Sequence, residues 1–147
     1  SMAHDLTQYI DSSIFAVKNY QPDGQYKMLI AVIDAPNTRK AVKYGARVAQ
    51  AFDLYTTAVT VSSTTDFREN YKKASAWADK FLRRSGIENE IRLEHGRFME
   101  IMSTIAGDNH IIVMGSSTKS PLAKFFTGSK PLNVMKHCKC PVLIVKE

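Results

Sequence analysis

The residues best suited to chemistry lie near the end of the chain, from Met114 to Val145: MGSSTKSPLAKFFTGSKPLNVMKHCKCPVLIV. An apolar run ends at Gly115 and enters a segment of small hydroxyl residues, Ser116, Ser117, Thr118 and Ser120, which closes on Gly128-Ser129. A glycine lets the backbone approach a ligand closely. Ser129 suits a helix N-cap, and Pro131 suits the first turn, where its missing N–H is not needed. The exposed N–H groups and positive dipole end of such a helix suit a phosphate. Lys119, Lys124 and Lys130 add charge nearby. Read alone, the same residues also describe a surface loop followed by a capped helix.

Other chemistries lack their residues. There is no G-x-x-x-x-G-K-[ST] phosphate loop, no G-x-G-x-x-G dinucleotide fingerprint and no G-x-S-x-G nucleophile elbow. His4, His95, His110 and His137 are scattered, and no pair has metal-ligand spacing with an acid. His137 beside Cys138 and Cys140 reads as packing rather than a metal site, so no metal ligand and no catalytic residue is assigned.

The spacing within this stretch resembles that of the universal stress protein family, whose nucleotide-binding members carry G-2x-G-9x-G-[S/T] after the fourth strand. Gly115 matches the first glycine, and Gly128 with Ser129 matches the closing pair. Thr118 stands where the family has its middle glycine. MKHCKCPVLIV looks like the family's last helix and fifth strand, and Lys27 to Asp34 looks like its first strand with its terminal aspartate. The resemblance covers about residues 26–146. It implies ATP, AMP or another adenine nucleotide as ligand, with Mg2+ as the accompanying ion. Ile33 and Asp34 would flank the adenosine, and Val61 would offer backbone contacts to adenine. Met114 and Gly115 would line the sugar and phosphate side, and Thr118, Gly128, Ser129 and Lys130 would receive the phosphates. It also implies a homodimer, through Pro141–Val145, and an unidentified protein partner. Gly115→Val is then expected to abolish nucleotide binding and leave the fold intact.

Such a site needs a scaffold, and the rest of the chain reads as one. Lys27–Ile33, Leu54–Val61, Ile91–Leu93, His110–Met114 and Pro141–Val145 are short apolar runs rich in branched residues, as buried parallel strands are. Helical patterns separate them. Ala41, Tyr44, Gly45, Val48, Ala49 and Phe52 share one face, as do Phe67, Tyr71, Ala74, Ala78 and Phe81. Phe98, Ile101, Met102, Ile105 and Ala106 form a third face, and a short helix is expected from about Ser129 to Lys136. Asp66 with Glu69 reads as a capping box, and Gly86 as a helix stop. Alternating strands and helices predict a parallel sheet covered on both faces, with ligands at the strands' carboxyl ends where the order reverses. The residues after Ile33, Val61 and Met114 are therefore the ones that matter. The family resemblance makes this a five-stranded Rossmann- or flavodoxin-like α/β sandwich of order 3-2-1-4-5.

Ahead of this domain, residues 26–147, lies an arm and linker of residues 1–25. Leu6, Ile10, Ile14 and Val17 are spaced as one helix face, and Gln21-Pro22-Asp23-Gly24 reads as a turn. Packing against the domain or a dimer mate suits this arm better than a membrane surface, because it lacks a basic face. Ser1 ahead of Met2 reads as a cloning remnant, and residues 1–9 carry no export-signal core.

The 147 residues suffice for one core, and no apolar run approaches the ~18 residues of a membrane span. Two cysteines are too few for a disulfide scaffold; two apart near a strand, they are expected to point oppositely, and a reducing cytoplasm is the expected compartment. The formal net charge is +6, and the six lysines between Gly115 and Lys146, with no acid among them, equal the whole excess. Nucleic-acid binding is set aside, because these lysines lack interleaved aromatics beyond Phe125 and Phe126 and fit no known module. Three functions compete: an adenine-nucleotide-binding regulatory module, a nucleotide-free dimeric interaction protein, and a slow ATPase. The last is the least supported, since Asp34 is the one acid placed near the site and no arginine follows Arg97.

Overall fold

Branched, apolar strands form the centre of the molecule because a strand covered on both faces must be hydrophobic along its whole length. The computed structural model describes residues 14–16, 21, 24–33, 37–64, 66–115 and 130–145. Among these are six strands and four helices: β1 (Ile14–Ala16), β2 (Lys27–Ala31), α1 (Thr38–Phe52), β3 (Thr56–Ser62), α2 (Glu69–Arg84), β4 (Asn89–His95), α3 (Phe98–Ala106), β5 (His110–Gly115), α4 (Lys130–His137) and β6 (Val142–Val145).

The strands form one sheet of order β1-β6-β5-β2-β3-β4. The last five are mutually parallel, in the order 3-2-1-4-5 that the α/β reading predicts. Their two faces build two cores. Met28, Ile30, Val113 and Leu143 point to the side covered by α1 and α2 and pack with Val42, Ala46, Ala78 and Leu82. Leu29, Ala31, Ile112, Met114 and Ile144 point the other way and pack with Met102, Ala106 and Val134 of α3 and α4. Alternate residues of one strand thus feed opposite layers. Both Cys138 and Cys140 enter the second core, which corrects the expectation that they point oppositely. Both lie outside the strand, so the strand's alternation does not act on them. Burial pushes the Cys140 thiol up to about 12, so it stays protonated and inert near neutrality.

The arm departs from its helical pattern. Ile14–Ala16 is a strand, antiparallel to β6, with Ile14 opposite Ile144 and Ala16 opposite Val142. Of the remaining residues 1–25 only Gln21, Gly24 and Gln25 are described, and the Gly24 N–H donates to the Gln21 carbonyl at 2.9 Å, as a turn there requires. The apolar edge of β6 needs backbone partners, and that tertiary demand outweighs a weak helical periodicity in a short segment. The same pairing bears on the homodimer expected through Pro141–Val145. In this chain β1 occupies that edge.

The α2 start also differs. Its N-cap is Arg68, extended and without a side-chain cap bond, rather than Asp66. The Ser62 and Thr64 hydroxyls both donate to the Asp66 carbonyl, which holds this turn in a loop and delays the helix. The buried face of α2 is Ser75, Ala78 and Leu82, with Tyr71, Ala74 and Phe81 only partly covered. Gly86 does end the helix, in the left-handed region at φ +73°, where glycine is favoured.

His110 opens β5 and is buried. Its Nδ1 lies 2.9 Å from the Ala106 carbonyl and 2.8 Å from the Asn109 side-chain oxygen, so Nδ1 carries the proton and donates. Burial, opposed by the bond to Ala106 and aided by Lys27, lowers its pKa below the usual histidine value. The unfolded chain therefore binds this proton more readily than the native one. Stability conferred by His110 is complete above about pH 6.5 and is lost as the pH falls below it. In denaturant titrations between pH 4.5 and 8, His110→Gln is expected to flatten this acid slope; an unchanged slope would assign it to other groups.

Candidate nucleotide site at the carboxyl ends of the strands

From β2 the chain moves outward through β3 to β4, and later returns through β5 to β6 on the other side. The order therefore reverses between β2 and β5, and loops leaving these strands diverge to leave a crevice. Ala31 lies opposite Val59, and Ile30 lies opposite both Ala58 and Val113. The same register, carried two residues further, sets Ile33 beside Val61 and Val32 beside Gly115. Three strand ends singled out by sequence thus meet at one level.

Each residue reaches this level in its own way. Ile33 follows β2, is half-buried, and its carbonyl accepts a hydrogen bond from the Thr38 hydroxyl in the first turn of α1. Val61 is half-buried near the end of β3. Met114 is fully buried in the core beneath α3 and α4, so it faces the crevice only through its backbone. Gly115 ends β5 and lies against the backbone of Asn37, just before α1. A Cβ on it would sit 2.8 Å from both the carbonyl carbon and oxygen of Asn37. The glycine is therefore required by packing of β5 on the start of α1, whatever it offers a ligand. Lys130 is the first residue of α4. Asp34, Thr118, Gly128 and Ser129 lie outside the described residues.

A cleft of about 600 Å³ opens at the same end of the sheet, lined by Val61–Thr64, Arg68, Tyr71 and Gly96–Phe98. It lies where β3 and β4 hand over to α2 and α3. Of the residues expected from sequence, Val61 lines it. Arg68, Tyr71 and Arg97 were missed because they belong to no motif. Their available signal is positional: Arg68 and Arg97 each directly precede a helix that follows a strand. His137 is exposed while Cys138 and Cys140 are buried, and no group of three metal-ligating side chains occurs among the described residues.

Charge has a spatial pattern that the linear count hides. Helices α1 and α2 carry nine lysines and arginines against two acids, Glu69 and Asp79. The basic excess therefore covers one helical layer as well as the C-terminal segment. Arg39 stacks 5.0 Å over the Trp77 ring, and Lys40 and Arg47 flank Tyr44. Among the described residues no helix is long and apolar enough to cross a membrane.

The model of the universal stress protein family matches residues 26–146. The chain belongs to that family. Solved members share the fold at low identity. A universal stress protein in complex with cAMP is 22% identical, with TM-score 0.68 over 84% of this chain and 98% of its own. The Archaeoglobus fulgidus universal stress protein in complex with dAMP is 18% identical, with TM-score 0.64 over 83% of this chain and 99% of its own. UspA from Lactobacillus plantarum is 19% identical, with TM-score 0.60 over 83% and 98%. Comparison with curated protein sequences gives no match. The universal stress protein domain thus supplies the five parallel strands, and β1 lies outside the matched residues.

Proposed function

We propose that the chain is an adenine-nucleotide-binding regulatory module. The observation that carries this reading is the meeting of Ile33, Val61 and Gly115 at one level beside the point where the strand order reverses. Open α/β sheets bind their ligands there. The cAMP and dAMP complexes of two relatives support the same ligand class. In this reading adenosine lies across the ends of β2 and β3, between Ile33, Asp34 and Val61. The phosphates extend over Gly115 toward Thr118, Gly128, Ser129 and Lys130, with Mg2+ as counter-ion when ATP is bound. The threonine at 118 offers its backbone N–H in place of the glycine's and adds a hydroxyl.

Binding rather than turnover suits the residues available. Phosphoryl transfer needs a positioned nucleophile and charge compensation at the reacting group. The described residues at the crevice, Ile33, Val61, Met114 and Gly115, are apolar or backbone contributors.

The purified protein is expected to release near-stoichiometric adenine nucleotide on denaturation, separable by anion exchange, or to be stabilised by added ATP with magnesium. Ligand at a hundredfold over its Kd contributes about 2.7 kcal/mol, a rise of several degrees in Tm for a domain of this size. An empty supernatant together with an unchanged Tm at millimolar ATP would overturn the reading.

A further inference from the structure

Helices α1 and α2 lie side by side over one face of the sheet. Arg39 of α1 sits 5.0 Å over the Trp77 ring of α2, and the Gln50 amide donates to the Ser85 carbonyl at 2.6 Å. The outer surface of the pair carries two rows of cations. On α1, Arg39, Lys43 and Arg47 recur every four residues and are exposed. On α2, Lys73, Lys80 and Arg84 are exposed on the side of Trp77, linked through it by steps of three or four residues. Packed helices stand about 8–10 Å apart, which sets the spacing of the rows. Little cancels this charge. Of the two acids on these helices, Asp79 is held by Arg83 at 2.8 Å and by Asn89 at 3.1 Å, which leaves Glu69 in the first turn of α2. Among the described residues Arg83–Asp79 is the one ion pair on either helix.

The face selects among anionic partners. A protein interface is built round an apolar centre and is depleted in lysine. A helix that lies on a membrane inserts Trp, Phe or Leu. Among the described residues the large apolar side chain left exposed is Leu93 on β4, so α1 and α2 offer neither feature. Single strands stack their bases on open aromatic rings, but Trp77 is half-buried, lies under Arg39 and stacks on Phe81 at 5.2 Å. Duplex interfaces are far more positively charged than protein interfaces. The phosphate rows that bound a major groove are about 12 Å apart, within reach of long lysine and arginine arms from two rows at helix spacing.

We propose that the outer face of α1 and α2 binds the phosphate backbone of double-stranded nucleic acid, without regard to base sequence. The inference does not use the nucleotide-site reading, and the lysines after Gly115 are a separate group. Anisotropy of a labelled, mixed-sequence DNA duplex tests it. Six phosphate contacts predict an affinity loss of about a thousandfold between about 50 and 200 mM salt. Emission of Trp77, the chain's single tryptophan, is expected to shift as Arg39 turns from the ring to a phosphate. The variant Lys43→Gln/Arg47→Gln/Lys80→Gln/Arg84→Gln removes four exposed charges and is expected to lower the salt slope by about four. Its α1 half and its α2 half, tested separately, are each expected to lower the slope by about two, which keeps the test independent of the stability of the fourfold variant. Lys136→Gln/Lys139→Gln, exposed on the C-terminal segment, is expected to leave affinity within twofold. No binding at low salt overturns the inference. So does a slope that survives the substitutions, an equal loss in the C-terminal variant, or binding with unchanged Trp77 emission. Tighter binding of single-stranded DNA, of polyglutamate or of phosphatidylserine vesicles than of the duplex also overturns it, and gives the face to that partner instead.

Discussion

Gly115→Val is expected to destabilise the fold itself, by about 3 kcal/mol or more, the upper range for overpacking. The added Cβ would meet the carbonyl carbon and oxygen of Asn37 at 2.8 Å and its Cβ at 3.0 Å. These are mainly backbone atoms at the start of α1, with no rotamer through which to yield. The substitution therefore does not isolate nucleotide binding, and the expectation of an intact fold is corrected. Gly45 gives the contrast. A Cβ there approaches the Cδ1 of Ile30 at 2.8 Å, but this is the end of a flexible side chain. In mid-helix, alanine also gains up to about 1 kcal/mol over glycine. Chemical denaturation should rank Gly115→Val far below Gly45→Ala. Equal stability of the two variants would mean that β5 and α1 separate without cost.

Deleting residues 1–20 is expected to change the state of association. The segment contains β1, which supplies the outer partner of β6 through Ile14, Phe15 and Ala16. Without it, the buried apolar strand Val142–Val145 presents an open edge, a template for pairing with a second chain. In sedimentation velocity the full chain is expected to run as a monomer and the truncated chain at twice the mass or more. Equal mass for both, with the truncated chain still folded by circular dichroism, would show that β1 does not control the edge. On the expected outcome, a homodimer through Val142–Val145 would require the release of β1.

The helices and strands were legible where burial dictates composition. Phe98–Ala106 is apolar on one face and runs the length its pattern predicts. The all-apolar run from His110 is a strand buried from end to end. Where burial is partial the pattern loses phase. α2 turns Ser75 and Leu82 inward while Tyr71 and Phe81 stay at the margin. β4 extends from Asn89 to His95 although its alternate residues Glu90, Arg92 and Glu94 hide it from a search for apolar runs. Ladder bonds to β3 supply what its side chains do not.

The candidate site divides in the same way. Glycine and serine spacing marked Gly115, and strand ends marked Ile33 and Val61, because such features follow from local backbone rules. The sequence by itself determined the α/β class and the parallel sheet, since hydrophobic periodicity and chain connectivity leave few arrangements, and it marked the strand ends at which open α/β sheets take their ligands. Only the tertiary structure decided that Gly115 is pressed against Asn37, that β1 closes the β6 edge, and that Arg68 and Arg97 face one cleft. Each is a contact between residues remote in sequence, set by packing and strand pairing, which no local pattern encodes.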